Sequence, residues 1–109
     1  MERDEEGSDV AEEVIRARRI ELYDDQDNLT GILSGGGVEE EESSVAVLML
    51  HSPDGEAAAS IAMHRDSGNP SIHLYTAGGG DIIIYFNDEG RAVVRMVNED
   101  GTAGEFIPE

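Results

Sequence analysis

The stretch Gly80–Met96, GDIIIYFNDEGRAVVRM, decides how the rest of the chain reads. Two apolar runs flank Asn87-Asp88-Glu89-Gly90, whose polar residues and closing glycine suit a type I turn followed by a left-handed residue. The stretch therefore reads as a β-hairpin. Placing Asn87 opposite Arg91 pairs Phe86 with Ala92, Ile84 with Val94 and Ile82 with Met96, six apolar side chains on one face. The other face pairs Ile83 with Arg95 and Tyr85 with Val93, so it is mixed but half apolar. Turn and pattern agree on one register, and a slip of one residue would send every side chain to the opposite face.

The same reading extends upstream. In Ser43–His64, SSVAVLMLHSPDGEAAASIAMH, Pro53 presets the first corner of a turn and Gly55 suits its left-handed closing position. Setting Ser52 opposite Glu56 pairs Met49 with Ala59, Val47 with Ile61 and Val45 with Met63, a fully apolar face. Its reverse pairs Leu50 with Ala58, Leu48 with Ser60 and Ala46 with Ala62, small and weakly polar. A strand pair without charge on either face needs cover on both sides, from a second sheet or another subunit. A first hairpin spans Val14–Ser34, with Ile20 and Leu22 alternating against Arg19, Glu21 and Tyr23. Its turn, Asp24–Asn28, places Asn28 in the left-handed position, Asp25 opposite Leu29 and Ile32 across from Leu22.

Between the hairpins, Gly35-Gly36-Gly37 and the acidic run Glu39–Glu42 read as a flexible, self-repelling loop. Ser71–Thr76 reads as a strand with Ile72 and Leu74 on one face and His73 and Tyr75 on the other. Asn98-Glu99-Asp100-Gly101 repeats the Asn87–Gly90 turn, and Ala103–Ile107 makes a closing strand ended by Pro108 at an edge. Asn28, Gly55, Gly90 and Gly101 thus mark a degenerate hairpin repeat. The predicted fold is all-β: an antiparallel meander of seven or eight short strands over residues 14–109, preceded by an acidic, disordered tail at 1–13. Barrel, sandwich and sheets packed between subunits all satisfy the pattern.

Composition narrows the function. A chain of 109 residues is one domain, but with no Trp, two Phe and three Tyr its core is light, and packing against another subunit would help it fold. Twenty-five Asp and Glu against seven basic residues, all Arg, give a formal charge of −18. Such a surface repels nucleic acid and anionic membrane; it suits solubility, adaptation to high salt, or a basic protein partner. There is no Cys, hence no disulfide or thiolate chemistry, and no run of about 20 apolar residues to span a bilayer. The expected location is the cytoplasm or an intracellularly assembled particle.

The runs VIRARRIELYDDQDNLTGIL, LMLHSPDGEAAASI and IYFNDEGRAVVRM resemble bacterial β-hairpin-repeat proteins, an uncharacterised family in which strands lead into Asp/Glu-Gly turns and an Arg-Ala-Val strand. The resemblance covers about three-quarters of the chain and implies a β-meander without an active site. Thr30 and Gly31 depart from it, standing where an Arg-Ala pair belongs, as does the run Gly78–Gly80 in place of a polar turn. Viral tail-fibre and spike modules, commonly trimeric, are an architectural analogy.

Motifs for chemistry are weak. His64 opposite Ser71 would leave His73 one diagonal step away, so these two with Asp66 are the metal candidates, read in the first place as ordinary strand residues. Asp25-Gln26-Asp27 begins like a calcium loop and fails at Leu29 and Thr30. The glycine triplets do not precede Lys-Ser/Thr, and Ser34 is outside the spacing of a nucleophile elbow. No catalytic residue and no cofactor are expected. The leading expectation is a non-enzymatic structural or interaction module, a component of a virion, tail or other particle. It would be a homo-oligomer, with a trimer favoured, joined through Ala46, Leu48, Leu50, Ile83, Tyr85 and Val93. The alternatives are a monomeric barrel or sandwich holding a small apolar ligand among Val47, Ile61, Ile84 and Val94, and an acidic protein that captures a basic partner.

Overall fold

The computed structural model describes residues 13–36 and 44–108. The expected acidic tail before residue 13 and the Glu39–Glu42 run lie outside these residues. The described chain is all-β, with β1 (Arg19–Tyr23), β2 (Leu29–Ser34), β3 (Ser44–His51), β4 (Ala58–His64), β5 (Pro70–Tyr75), β6 (Asp81–Phe86), β7 (Ala92–Val97) and β8 (Ala103–Phe106). The eight strands form one antiparallel sheet in sequence order, a meander in which β1 and β8 are the edges. The sheet is not closed into a barrel, and no second layer of described residues covers it. The radius of gyration is 18.2 Å, against about 13 Å for a compact domain of this length. No helix among the described residues is long and apolar enough to cross a membrane.

One turn is used four times. In Asp24–Asn28, Thr76–Gly80, Asn87–Arg91 and Asn98–Thr102 the first residue's N–H donates to the fifth residue's carbonyl, and the fourth residue's N–H donates back to the first carbonyl. The fourth residue holds positive φ in each: Asp27 (64°), Gly79 (102°), Gly90 (79°) and Gly101 (92°). The first side chain reinforces the loop. Asn87 Oδ1 accepts from the N–H groups of Glu89 and Arg91, each at 3.0 Å, and Asp24 Oδ1 accepts from Gln26 and Asn28 at 2.8 and 2.9 Å. The turn at Thr76–Gly80 needs no polar side chain beyond its first. Thr76 Oγ1 accepts from Gly80 N–H at 3.0 Å, so the glycine run forms the same turn as its polar counterparts.

The β6–β7 register is the expected one at every pair, from Ile82 with Met96 to Phe86 with Ala92. Three other registers differ. In the first hairpin Asp24, not Asp25, opens the turn, so the left-handed residue is Asp27 and Asn28 closes the ladder. Leu22 then pairs with Gly31 and Tyr23 with Leu29, with Thr30 as a bulge, and Ile32 lies opposite Glu21 instead of Leu22. The strand itself begins at Arg19, not Val14.

In the second hairpin Ser52 N–H donates to Ala57, not Glu56, at 2.9 Å. Asp54 Oδ1 explains the longer loop, accepting from the Ser52 hydroxyl at 2.6 Å and from Glu56 N–H at 3.0 Å, which holds Glu56 inside the turn. Gly55 is left-handed as expected, at φ 77°. The extra loop residue slips β4 by one: Leu48 pairs with Ile61, Leu50 with Ala59 and Val47 with Ala62. Ser71 likewise faces Ala62, not His64. The last strand stops at Phe106, one residue short of the expected Ile107.

Candidate interaction surface

With these registers, the alternation of all eight strands comes into phase. One face carries Ile20 and Leu22 of β1, Gly31 and Leu33 of β2, Ala46, Leu48 and Leu50 of β3, and Ala59, Ile61 and Met63 of β4. It continues through Pro70, Ile72 and Leu74 of β5, Ile82, Ile84 and Phe86 of β6, Ala92, Val94 and Met96 of β7, and Gly104 and Phe106 of β8. No strand residue on this face is polar. Apart from the half-buried Ile72 and Val94, its large side chains are exposed, from 36% at Ile82 to 60% at Phe106. Gly31 lets the row close up, since a Cβ there would meet Leu22 Cδ1 at 3.0 Å and Leu50 Cδ2 at 3.2 Å.

The opposite face is mixed and holds the small core. Ile32, Val47 and Ala62 are buried, with Leu29 and Met49 packed against them. Leu29 reaches this face because of the Thr30 bulge. Val93 is 1% exposed; beside it Tyr85 lies under Arg95, with the guanidinium carbon 5.7 Å from the ring centre. Arg95 also donates to Tyr85 Oη at 3.1 Å and to Glu105 at 3.4 Å.

Of the expected interface residues, Ala46, Leu48 and Leu50 share the apolar face. Ile83, Tyr85 and Val93 lie on the mixed face, and Val93 is buried within it. The barrel-lining set is divided in the same way, Val47 on the mixed face and Ile61, Ile84 and Val94 on the apolar one. The face of Ile82, Ile84, Phe86, Ala92, Val94 and Met96 is the one the sequence predicts. Its continuation through Ile61, Leu33, Leu22 and Ile20 becomes legible only when the other turn lengths are known.

Two shallow clefts of about 480 and 500 Å³ lie on the mixed face and share Ser60 and His73. His64 Nε2 is 2.7 Å from Ser71 Oγ, and His73 Nε2 is 2.9 Å from Asp81 Oδ1. The two histidines thus engage separate partners, while Asp66 stands in the exposed turn. Among the described residues no group of three or more His, Cys, Asp or Glu is placed to hold a metal ion. Ser71 and His64 have the spacing of a nucleophile and base, but no carboxylate orients the other ring nitrogen among the described residues.

Perturbed carboxyls mark the turns instead. Asp24 is held below the ordinary range by the N–H groups of Asn28 and Gln26, Asp54 by the Ser52 hydroxyl and Glu56 N–H, and Asp100 by Thr102 through its N–H and hydroxyl. Glu21 is lowered by the Tyr23 hydroxyl and then by Arg19, which donates to it at 2.7 Å. The three aspartates stabilise loops at the ends of the strands, outside the apolar face. No family model, curated protein or solved structure matches the chain.

Proposed function

We propose that the chain is a non-catalytic structural and interaction module that self-associates by burying its apolar sheet face against further copies, with a trimer as the favoured state. One observation carries this reading: eight consecutive strands present a face with no polar residue and, among the described residues, no cover. Such a sheet is about 34 Å across and its strands about 20 Å long, a footprint of roughly 700 Å². Largest apolar patches on monomers run to about 300–600 Å², whereas a stable interface buries about 800 Å² per partner.

The occupant is another copy for two reasons. A charge of −18 repels anionic lipid surfaces, the other apolar cover of comparable extent. The face itself carries no charge, so two copies meet there without opposing like charges, and their acidic turns stay in solvent. An open sheet has no interior for an apolar ligand, which disfavours the barrel reading. The cysteine-free chain, the hairpin-repeat resemblance and the tail-fibre analogy support a component of an intracellularly assembled particle, such as a virion or tail.

The test is a pair of charge substitutions read by native mass. Leu48→Glu, on the apolar face of β3 and flanked by Leu33 and Ile61, is expected to dissociate the assembly. Ile83→Glu, on the mixed face, is expected to leave the mass unchanged. Equal mass for wild type and Leu48→Glu, both folded, would refute the reading.

A further inference from the structure

Resting on that self-association, we propose that copies also join edge to edge, β8 of one copy hydrogen-bonding to β1 of the next, so that one sheet and one apolar face run continuously across the junction. Both edges are open among the described residues. With eight alternating strands β8 runs opposite to β1, so a neighbour in the same orientation continues the antiparallel meander without inversion.

The backbone phase at the two edges also matches. Gly35 N–H donates to the Arg18 carbonyl at 2.8 Å, so Ile20 and Leu22 direct their backbone groups toward β2 while Arg19 and Glu21 direct theirs outward. At the other edge Asn98 N–H donates to Thr102, so Gly104 and Phe106 bond inward to β7 while Ala103 and Glu105 face outward. All four outward residues belong to the mixed face. Directly opposed residues in an antiparallel ladder share a face, so any junction through these groups puts Ile20 and Leu22 on the same side as Gly104 and Phe106. Had the phases differed, joining the edges would have reversed the apolar face from copy to copy.

Charge selects the register. Three of the seven arginines, Arg16, Arg18 and Arg19, cluster at the β1 edge, while Glu105 lies on β8. Arg19 opposite Glu105 and Glu21 opposite Ala103 joins opposite charges; a shift of two residues one way sets Glu21 against Glu105, and the other way sets Arg19 against Ala103 and forfeits the pair. Asp24 then approaches Asp100 at the turn end, a repulsion that salt screens. Because the contact is head-to-tail, it closes into a ring with the apolar faces inward, or extends as a filament if the rotation does not close.

The chain has no cysteine, which permits a direct test with Ile20→Cys/Gly104→Cys. A Cβ at Gly104 would meet nothing within 4 Å and its φ is not positive, so the substitution is tolerated. In this register the two residues form a non-hydrogen-bonded pair with Cα atoms about 4.5 Å apart, within disulfide range. Seven strand spacings, about 34 Å, separate the edges of one copy, so a bond forms only between copies. After mild oxidation the double variant is expected to run as covalent multimers under denaturing, non-reducing conditions, and the single variants as monomers. A native assembly without cross-linking would overturn the edge junction and leave face burial standing. Disulfide dimers of either single variant would also overturn it, because they demand like edges. A native monomer that does not cross-link would overturn both.

Discussion

Gly90 and Gly104 both lack a side chain, for different reasons. Gly90 holds φ at 79°, where an L-residue is strained, while Gly104 sits in extended backbone with space around it. Gly90→Ala is therefore expected to cost about 1–2 kcal/mol, and Gly104→Ala to be neutral or slightly stabilising. Thermal midpoints at one fixed protein concentration separate the two. Asp24 makes a second residue-scale test. Its depressed carboxyl contributes stability that is present above the ordinary Asp range and lost as pH falls through the folded-state value. Asn87 makes the same two backbone bonds without a titratable group. Asp24→Asn is thus expected to fold like wild type near neutrality and to lose less stability below about pH 4. An identical acid profile for the two proteins would show that the turn carboxylate contributes nothing.

At the scale of elements, the strands are legible in the sequence and three of the registers are not. Alternation places all eight strands to within a few residues, and Asn87–Gly90 fixes β6 against β7 because its turn length is unambiguous. The loop after β3 is ambiguous because Ser52, Asp54 and Glu56 are all polar, and composition does not say which of Glu56 and Ala57 closes the ladder. The hydrogen bonds to Asp54 decide it. That single residue moves Ile61 from a partner of Val47 to a partner of Leu48, and so converts a weakly polar strand face into a continuous apolar one. The bulge at Thr30 similarly sends Ile32 to the core and leaves Leu22 outside. Deleting Glu56 is expected to force β4 out of phase with β3 or β5, lowering the thermal midpoint and abolishing assembly. Unchanged midpoint and mass would show that the phase of β4 is irrelevant to either property.

For the whole molecule, two demands conflict. The apolar face requires cover, and a charge of −18 per copy opposes bringing copies together. The strand faces resolve much of this by segregation, with no charged strand residue on the apolar side, but the long-range repulsion remains. It falls steeply as the screening length shrinks from about 10 Å at 0.1 M salt to about 3 Å at 1 M. Assembly is therefore expected to strengthen with salt, and a stable assembly already present at low salt would mean that apolar burial outweighs repulsion unaided. Native mass by light scattering at low and near-molar salt tests the proposed burial of the apolar face directly. The expected result is a defined oligomer of three or more copies at near-molar salt. A folded monomer at both salt concentrations would contradict the burial of the apolar face between copies.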